Sequence, residues 1–257
     1  MLHLRSIEFN FKNHKNNKYP YQVPIIRNTK EIKFTQPVTI FVGENGTGKS
    51  TILESIASSA NLITIDGGKT ESTFSEEILK QIKLIWSIKT KTGFYFKANE
   101  FVQFIERLKE IKFDSKTAIK EISESDMDQL ATMPHARTLY DLEQLYGEGL
   151  EFRSHGESFL DLFQRRFQPN GLYLLDEPEA PLSPINQLAL ISMMKEMIKQ
   201  KAQFIIATHS PILMAFPEAE ILLIENDEII KVPYNELEHV TLTRDFLNNP
   251  ENFLRHL

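Results

Sequence analysis

The chain of 257 residues contains no cysteine, which excludes a disulfide scaffold, thiolate catalysis and any cysteine-held zinc or iron–sulfur centre. An excess of positive charge is also missing: 29 Lys and Arg face 35 Asp and Glu, a formal charge of -6. Bulk charge therefore does not point to nucleic acid or an anionic membrane, although one basic face would be enough to bind either. Apolar runs are short. Ile212 to Phe216 and Ile221 to Ile224 fall far below the roughly 20 residues that span a bilayer. The opening residues, MLHLRSIEFNFKNHKNNKYPYQ, carry no apolar stretch of signal-peptide length before charge returns. These absences predict a cytoplasmic protein that does not insert into a membrane.

What is present is globular: 41% hydrophobic and 25% charged residues, in a chain near the upper size of a single core. Leu4 to Phe11 reads as a strand, Lys12 to Lys18 as an exposed loop and Ile32 to Phe34 as a short strand. Val38 to Val42 is apolar on both faces, as a central parallel strand is. A Gly-rich turn and an amphipathic helix over Thr51 to Ser59 follow, and Gly67-Gly68 marks a loop. Ile78, Ile82 and Ile85 predict a further helix, and Thr92 to Phe96 a strand or turn. From residue 98 to 157 the pattern is charged and helical, a lobe set into a single α/β domain over residues 1–257. Ser158 to Phe167 reads as a helix. Buried strands are then predicted at Leu172 to Leu175, Phe204 to Ala207 and Ile221 to Ile224, with Ile229 to Val232 returning antiparallel at an edge. Ser183 and Pro184 signal the start of a helix running to Lys199.

Chemistry gathers at three of these strand ends. Gly43, Glu44, Asn45, Gly46, Thr47, Gly48, Lys49 and Ser50 satisfy G-x-x-x-x-G-K-[ST] between strand and helix. Such a loop turns backbone N–H groups onto a phosphate beside a helix N-terminus. Lys49 supplies charge to the phosphates and Ser50 a ligand for Mg²⁺. Asp176-Glu177 closes a buried strand, where carboxylates are costly unless they face a cation or a cleft. Asp176 suits Mg²⁺ and Glu177 the activation of water. His209 follows the next strand, where a neutral imidazole can donate to a phosphate oxygen.

These motifs and their order resemble the ABC-type ATPases, in particular the small stand-alone ATPases related to the heads of chromosome-condensing and recombination-repair proteins. GENGTGKS resembles their Walker A and LYLLDEPEA, from Leu172 to Ala180, their Walker B. Ser154 to Ser158 stands where their signature segment lies, with His155 replacing the first glycine of its pair. Pro181 to Pro184 resembles the D-loop and Thr208-His209-Ser210 the switch-histidine motif. The resemblance implies a P-loop fold with a mostly parallel sheet, an N-terminal antiparallel portion and an inserted helical lobe. It also implies Mg²⁺-dependent hydrolysis of ATP, with Glu177 as base and Lys49 and His209 assisting. ATP binding would bring together a head-to-tail homodimer, closing Ser154, Gly156 and Glu157 of one subunit over the phosphate loop and Thr51 of the other. Tyr21, or Tyr19 beside it, would stack on adenine. Ala98-Asn99-Glu100 occupies the place of the Q-loop glutamine, so Asn99 or Glu100 would have to stand in.

A repair or defence partner, of unknown identity, is the expected outlet for hydrolysis. The alternative is the ATPase subunit of a membrane transporter, against which the diverged signature and the DEPEAPLSP segment weigh. A module that holds ATP without turnover would not need Glu177. A small-molecule kinase would not need Glu177, the signature-like segment and His209 together. The lobe is too short for long coiled-coil arms around DNA.

Overall fold

The computed structural model describes residues 2–11, 19–65, 68, 70, 73–124, 132–146 and 155–255. The loop expected over Lys12 to Lys18, together with Gly67 and Ser154, lies outside them. Seven strands form the main sheet: β3 (Val38–Val42), β4 (Ile63–Thr64), β6 (Gly93–Lys97), β7 (Leu172–Asp176), β8 (Gln203–Ala207), β9 (Glu220–Glu225) and β10 (Glu228–Lys231). Their order is β10-β9-β3-β8-β7-β6-β4, with every neighbouring pair parallel except β10 on β9. A second, antiparallel sheet has β1 (Leu4–Phe9) between β2 (Glu31–Lys33) and β5 (Ile82–Trp86). This is the mostly parallel sheet with an antiparallel portion that the family resemblance implies.

The central strands are apolar on both faces because both are covered. Successive side chains point to opposite sides. Val38, Ile40, Val42, Phe96, Leu175 and Ile206 enter one core, while Phe41, Leu174, Ile205 and Ala207 enter the other. The first core takes in residues of α4 (Ala98–Glu124), α6 (His155–Arg166) and α7 (Pro184–Lys199). An aromatic cluster roots α4 and α6 on the sheet: Phe159 stacks on Phe163 at 4.2 Å and meets Phe96 at 5.0 Å and Phe101 at 5.4 Å. The second core holds Ile52, Leu53 and Ile56 of α2 (Lys49–Ala60) against Leu4, Ile7 and Phe9 of the small sheet. Outside these layers, α4 packs on α5 (Met133–Tyr146).

The isoleucines expected to make one helix are divided. Ile78 belongs to a single turn, α3 (Glu76–Leu79), and Ile82 and Ile85 to β5. Residues 82–86 (IKLIW) alternate as readily as they fit a helical period, and pairing with β1 decides between them, with Ile82 opposite Phe9 and Leu84 opposite Ile7. The first strand also ends two residues earlier than expected, at Phe9, where it reaches the first residues of its partners β2 and β5.

Gln203 fastens the small sheet to the large one. Fully buried at the start of β8, it accepts from His3 N–H and Leu4 N–H, both at 2.8 Å, and donates to Leu4 O at 2.9 Å. Gln203→Leu would leave three buried main-chain groups unpaired, and a loss of about 3 kcal/mol is expected. A urea midpoint within error of the parent, at unchanged m-value, would show that the bonds are dispensable.

Candidate active site

The register of the main sheet sets its carboxyl edge. Lys97 lies beside Asp176, Asp176 beside Ala207, and Ala207 beside Phe41. The chain therefore leaves β6, β7, β8 and β3 at one level, and ligands of open α/β sheets bind at that edge. Residues 43–48 turn there into α2. Gly43 has φ +150, and a Cβ on it would come within 2.6 Å of Ile224 O. Gly48 has φ +102, and a Cβ there would meet Ile25 at 2.5 Å, so both positions require glycine. No side chain caps α2 and its first turn has no acidic residue. Its leading N–H groups are therefore available to an anion.

Lys49, the first residue of α2, is buried and donates to Gly43 O at 2.7 Å and Glu44 O at 2.8 Å. Burial lowers its pKa, opposed by Glu177, Asp176 and Glu179. Glu44, Asn45 and Gly46 are exposed at the loop tip, and the Thr47 hydroxyl donates to Glu44 O at 3.0 Å. Ser50 Oγ donates to Asp176 Oδ1 at 3.0 Å, uniting the hydroxyl and carboxylate that chain order keeps far apart. Burial pushes the Asp176 carboxyl up to about 6, with Ser50, Lys97 and Tyr95 restraining the rise and Glu177 adding to it. An uncapped helix start, a buried ammonium and a hydroxyl–carboxylate pair suit a magnesium–nucleotide complex.

Glu177 is the first residue beyond β7. Its φ of +51 is left-handed, uncommon for a side chain with a Cβ, and its N–H donates to Ala207 O at 2.8 Å. His209 stands two residues past β8. Burial lowers its pKa and the nearby Lys49 charge lowers it further, with Glu177 opposing. Its buried Nε2 has no hydrogen-bond partner among the described residues.

Other expectations fare differently. Tyr21 is in the core at 8% exposure, edge-on to Phe11 at 4.8 Å with its hydroxyl accepting from Gln81, and offers no open face to a base. The partly exposed Tyr19 donates to Thr51 Oγ1 at 3.1 Å and stacks on Phe74. Thr51 itself is buried. Ser154 lies outside the described residues, and Gly156 and Glu157 fall in the first turn of α6. Glu100, a candidate for the Q-loop position, pairs with Lys97 at 3.1 Å.

Three residues at this edge escaped sequence reasoning. Tyr95 donates to Asp176 Oδ2 at 3.3 Å. Lys97 loses hydration on burial, yet Glu100, Glu54 and Asp176 together hold its pKa above the usual value. Glu179 accepts from His209 N–H at 2.6 Å, and burial raises its pKa. A charge closing the apolar strand GFYFK was the available signal for Lys97, the same one that marked Asp176.

No curated protein matches the chain. Several solved structures are similar to it. CbiO1 from Clostridium perfringens, part of the ABC transporter complex cbiONQ, is 14% identical over 100% of this chain and 100% of that one, with TM-score 0.48. A nucleotide-free ATP-binding cassette from an ABC transporter is 16% identical over 98% of this chain and 97% of that one, with TM-score 0.46. The SMC head domain from Thermotoga maritima is 16% identical over 90% of this chain and 99% of that one, with TM-score 0.43. The family model AAA_23, described as AAA domain, matches residues 10–210. That match covers most of the chain and includes the phosphate loop, the Asp176–Glu177 pair and His209, so the chain belongs to the AAA_23 family of AAA domains and is a P-loop ATP hydrolase.

Proposed function

We propose that the protein hydrolyses Mg-ATP to ADP and phosphate in a site completed by a second copy of the chain. One observation carries this reading: the aligned ends of β3, β7 and β8 deliver Lys49, the Asp176–Glu177 pair and His209 to one edge, with Ser50 bonded to Asp176. Residues 43–48 and the start of α2 hold the phosphates through backbone N–H groups, and the Lys49 ammonium neutralises their charge. Ser50 and Asp176 hold Mg²⁺, which supplies charge neutralisation to the phosphates when bound. Glu177 orients water and takes its proton as oxygen adds to the γ-phosphorus and the bond to ADP breaks. Neutral His209 donates to a γ-phosphate oxygen. Of the two tyrosines considered for base stacking, Tyr19, tied to Thr51 beside the loop, takes the role rather than the buried Tyr21.

The second copy would present Ser154, Gly156 and Glu157 to the nucleotide, with the start of α6 adding its dipole. Among the described residues no helix is long and apolar enough to cross a membrane. The composite site favours a cycle of closure on ATP and opening after hydrolysis, coupled to a protein partner in repair or defence. Ser154→Arg places bulk and charge at the proposed junction. It is expected to abolish turnover, measured as phosphate release, while the monomer keeps parental ATP affinity by calorimetry. A fully active variant would sink the composite site.

A further inference from the structure

Two turns meet behind the proposed site. One runs from Glu177 to Ser183, between β7 and α7; the other runs from Thr208 to Ser210, between β8 and the short α8 (Pro211–Met214). Glu179 joins them on one side through its 2.6 Å bond from His209 N–H. Gln187 joins them on the other, donating to Leu182 O at 3.2 Å and accepting from the Ser210 hydroxyl. Ser210 Oγ in turn accepts from Ile212 N–H at 3.2 Å and Leu213 N–H at 3.3 Å, so the residue after His209 is locked to α8.

The first turn is equally fixed. Ala180 N–H donates to Glu177 O at 3.0 Å and Leu182 N–H to Glu179 O at 2.8 Å. Glu179 Oε2 is buried with no hydrogen-bond partner among the described residues. The Thr208 side chain and the residue's own N–H also lie close enough to its carboxylate to offset part of the rise that burial causes. What the Glu179 side-chain oxygen provides is a short bond at the His209 peptide.

We infer that Glu179 is a positioning residue for hydrolysis: its carboxylate holds the His209 peptide against the turn carrying Glu177, so that carboxylate and imidazole keep one separation. This rests on the roles given above to Glu177 and His209. Glu179 need not touch the nucleotide, and no hydrogen bond among the described residues joins it to the phosphate loop.

Steady-state ATP hydrolysis by Glu179→Ala, Glu179→Gln and Glu179→Asp tests the idea, with Glu177→Gln alongside. Glu179→Ala is expected to lower kcat on the order of 10- to 100-fold with KM for ATP little changed, because misplacement rather than lost binding is the defect. Glu179→Gln keeps an oxygen able to accept the same N–H and recovers most of the rate. Glu179→Asp keeps the charge but withdraws the acceptor, and falls with the alanine variant. The His209 amide proton resonance moves upfield in the alanine and aspartate variants. Parental kcat in Glu179→Ala overturns the inference, as does a glutamine variant no better than alanine, which would make charge the cause. Should Glu179→Ala fail to fold, the aspartate and glutamine pair decides by the same criterion. An inactive Glu177→Gln beside a fully active Glu179→Ala would defeat this inference alone; an active Glu177→Gln would overturn the underlying reading and this inference with it.

Discussion

Glu177→Gln is expected to slow ATP hydrolysis on the order of 100- to 10,000-fold while Mg-ATP stays bound, because it removes a proton acceptor and little else. The amide has nearly the shape of the carboxylate. The left-handed turn that presents residue 177 is held by its own main chain, through Glu177 N–H to Ala207 O and Ala180 N–H to Glu177 O, so the substitution does not release it. Lys49, Ser50 and Asp176 are untouched, and with them the groups proposed to hold the phosphates and metal. Blocking the chemical step while ATP is bound should trap the closed state. Light scattering after size exclusion would then show the mass double on addition of Mg-ATP and not of ADP. A constant mass with nucleotide shown to be bound would count against a site shared between two copies, and a different partner would have to complete it.

Asp176→Asn should act in two opposing directions. The residue is 7% exposed, and burial pushes its carboxyl from 3.8 to about 6. A folded-state pKa above the unfolded one means that the folded protein binds the proton more tightly. The stabilising effect of that proton is fully present below about pH 4 and lost as pH rises through about 6. At pH 8 the nucleotide-free protein therefore carries a charge costing roughly 3 kcal/mol. Removing it should raise the melting temperature by roughly 5 °C at pH 8 and by much less at pH 4. The same change removes a proposed metal ligand, so the stabilisation given by Mg-ATP should largely vanish. Calorimetric melts at the two pH values, with and without Mg-ATP, separate the effects. A variant less stable than its parent at pH 8 without nucleotide would show that Ser50, Tyr95 and Lys97 already satisfy the charge. Instability conceded at a site that must receive a cation is a familiar exchange between stability and function.

Much of this architecture can be read from local pattern. The apolar runs Val38–Val42 and Leu172–Leu175 announce strands buried on both faces, and both are flanked by helices of the second and first cores. Ser183 and Pro184 announce the start of α7, and the Ser183 side chain does accept from Asn186 N–H. Residues 82–86 fail the same test because five residues satisfy two periodicities at once, and only the pairing of β5 with β1 selects one.

Sequence by itself determined the phosphate loop, the acidic strand end and the histidine after the next strand. Each is a local device in which a few neighbouring residues set both backbone and chemistry. Tertiary structure alone decided which distant groups meet. The sheet register places Lys97 beside Asp176, and a fold-dependent bond joins Glu179 to His209. Tyr21 and Tyr19 differ by two positions in the chain, yet packing consigns one to the core and leaves the other partly open beside Thr51. Burial and long-range contact depend on the whole chain's arrangement, and no short window of residues contains them.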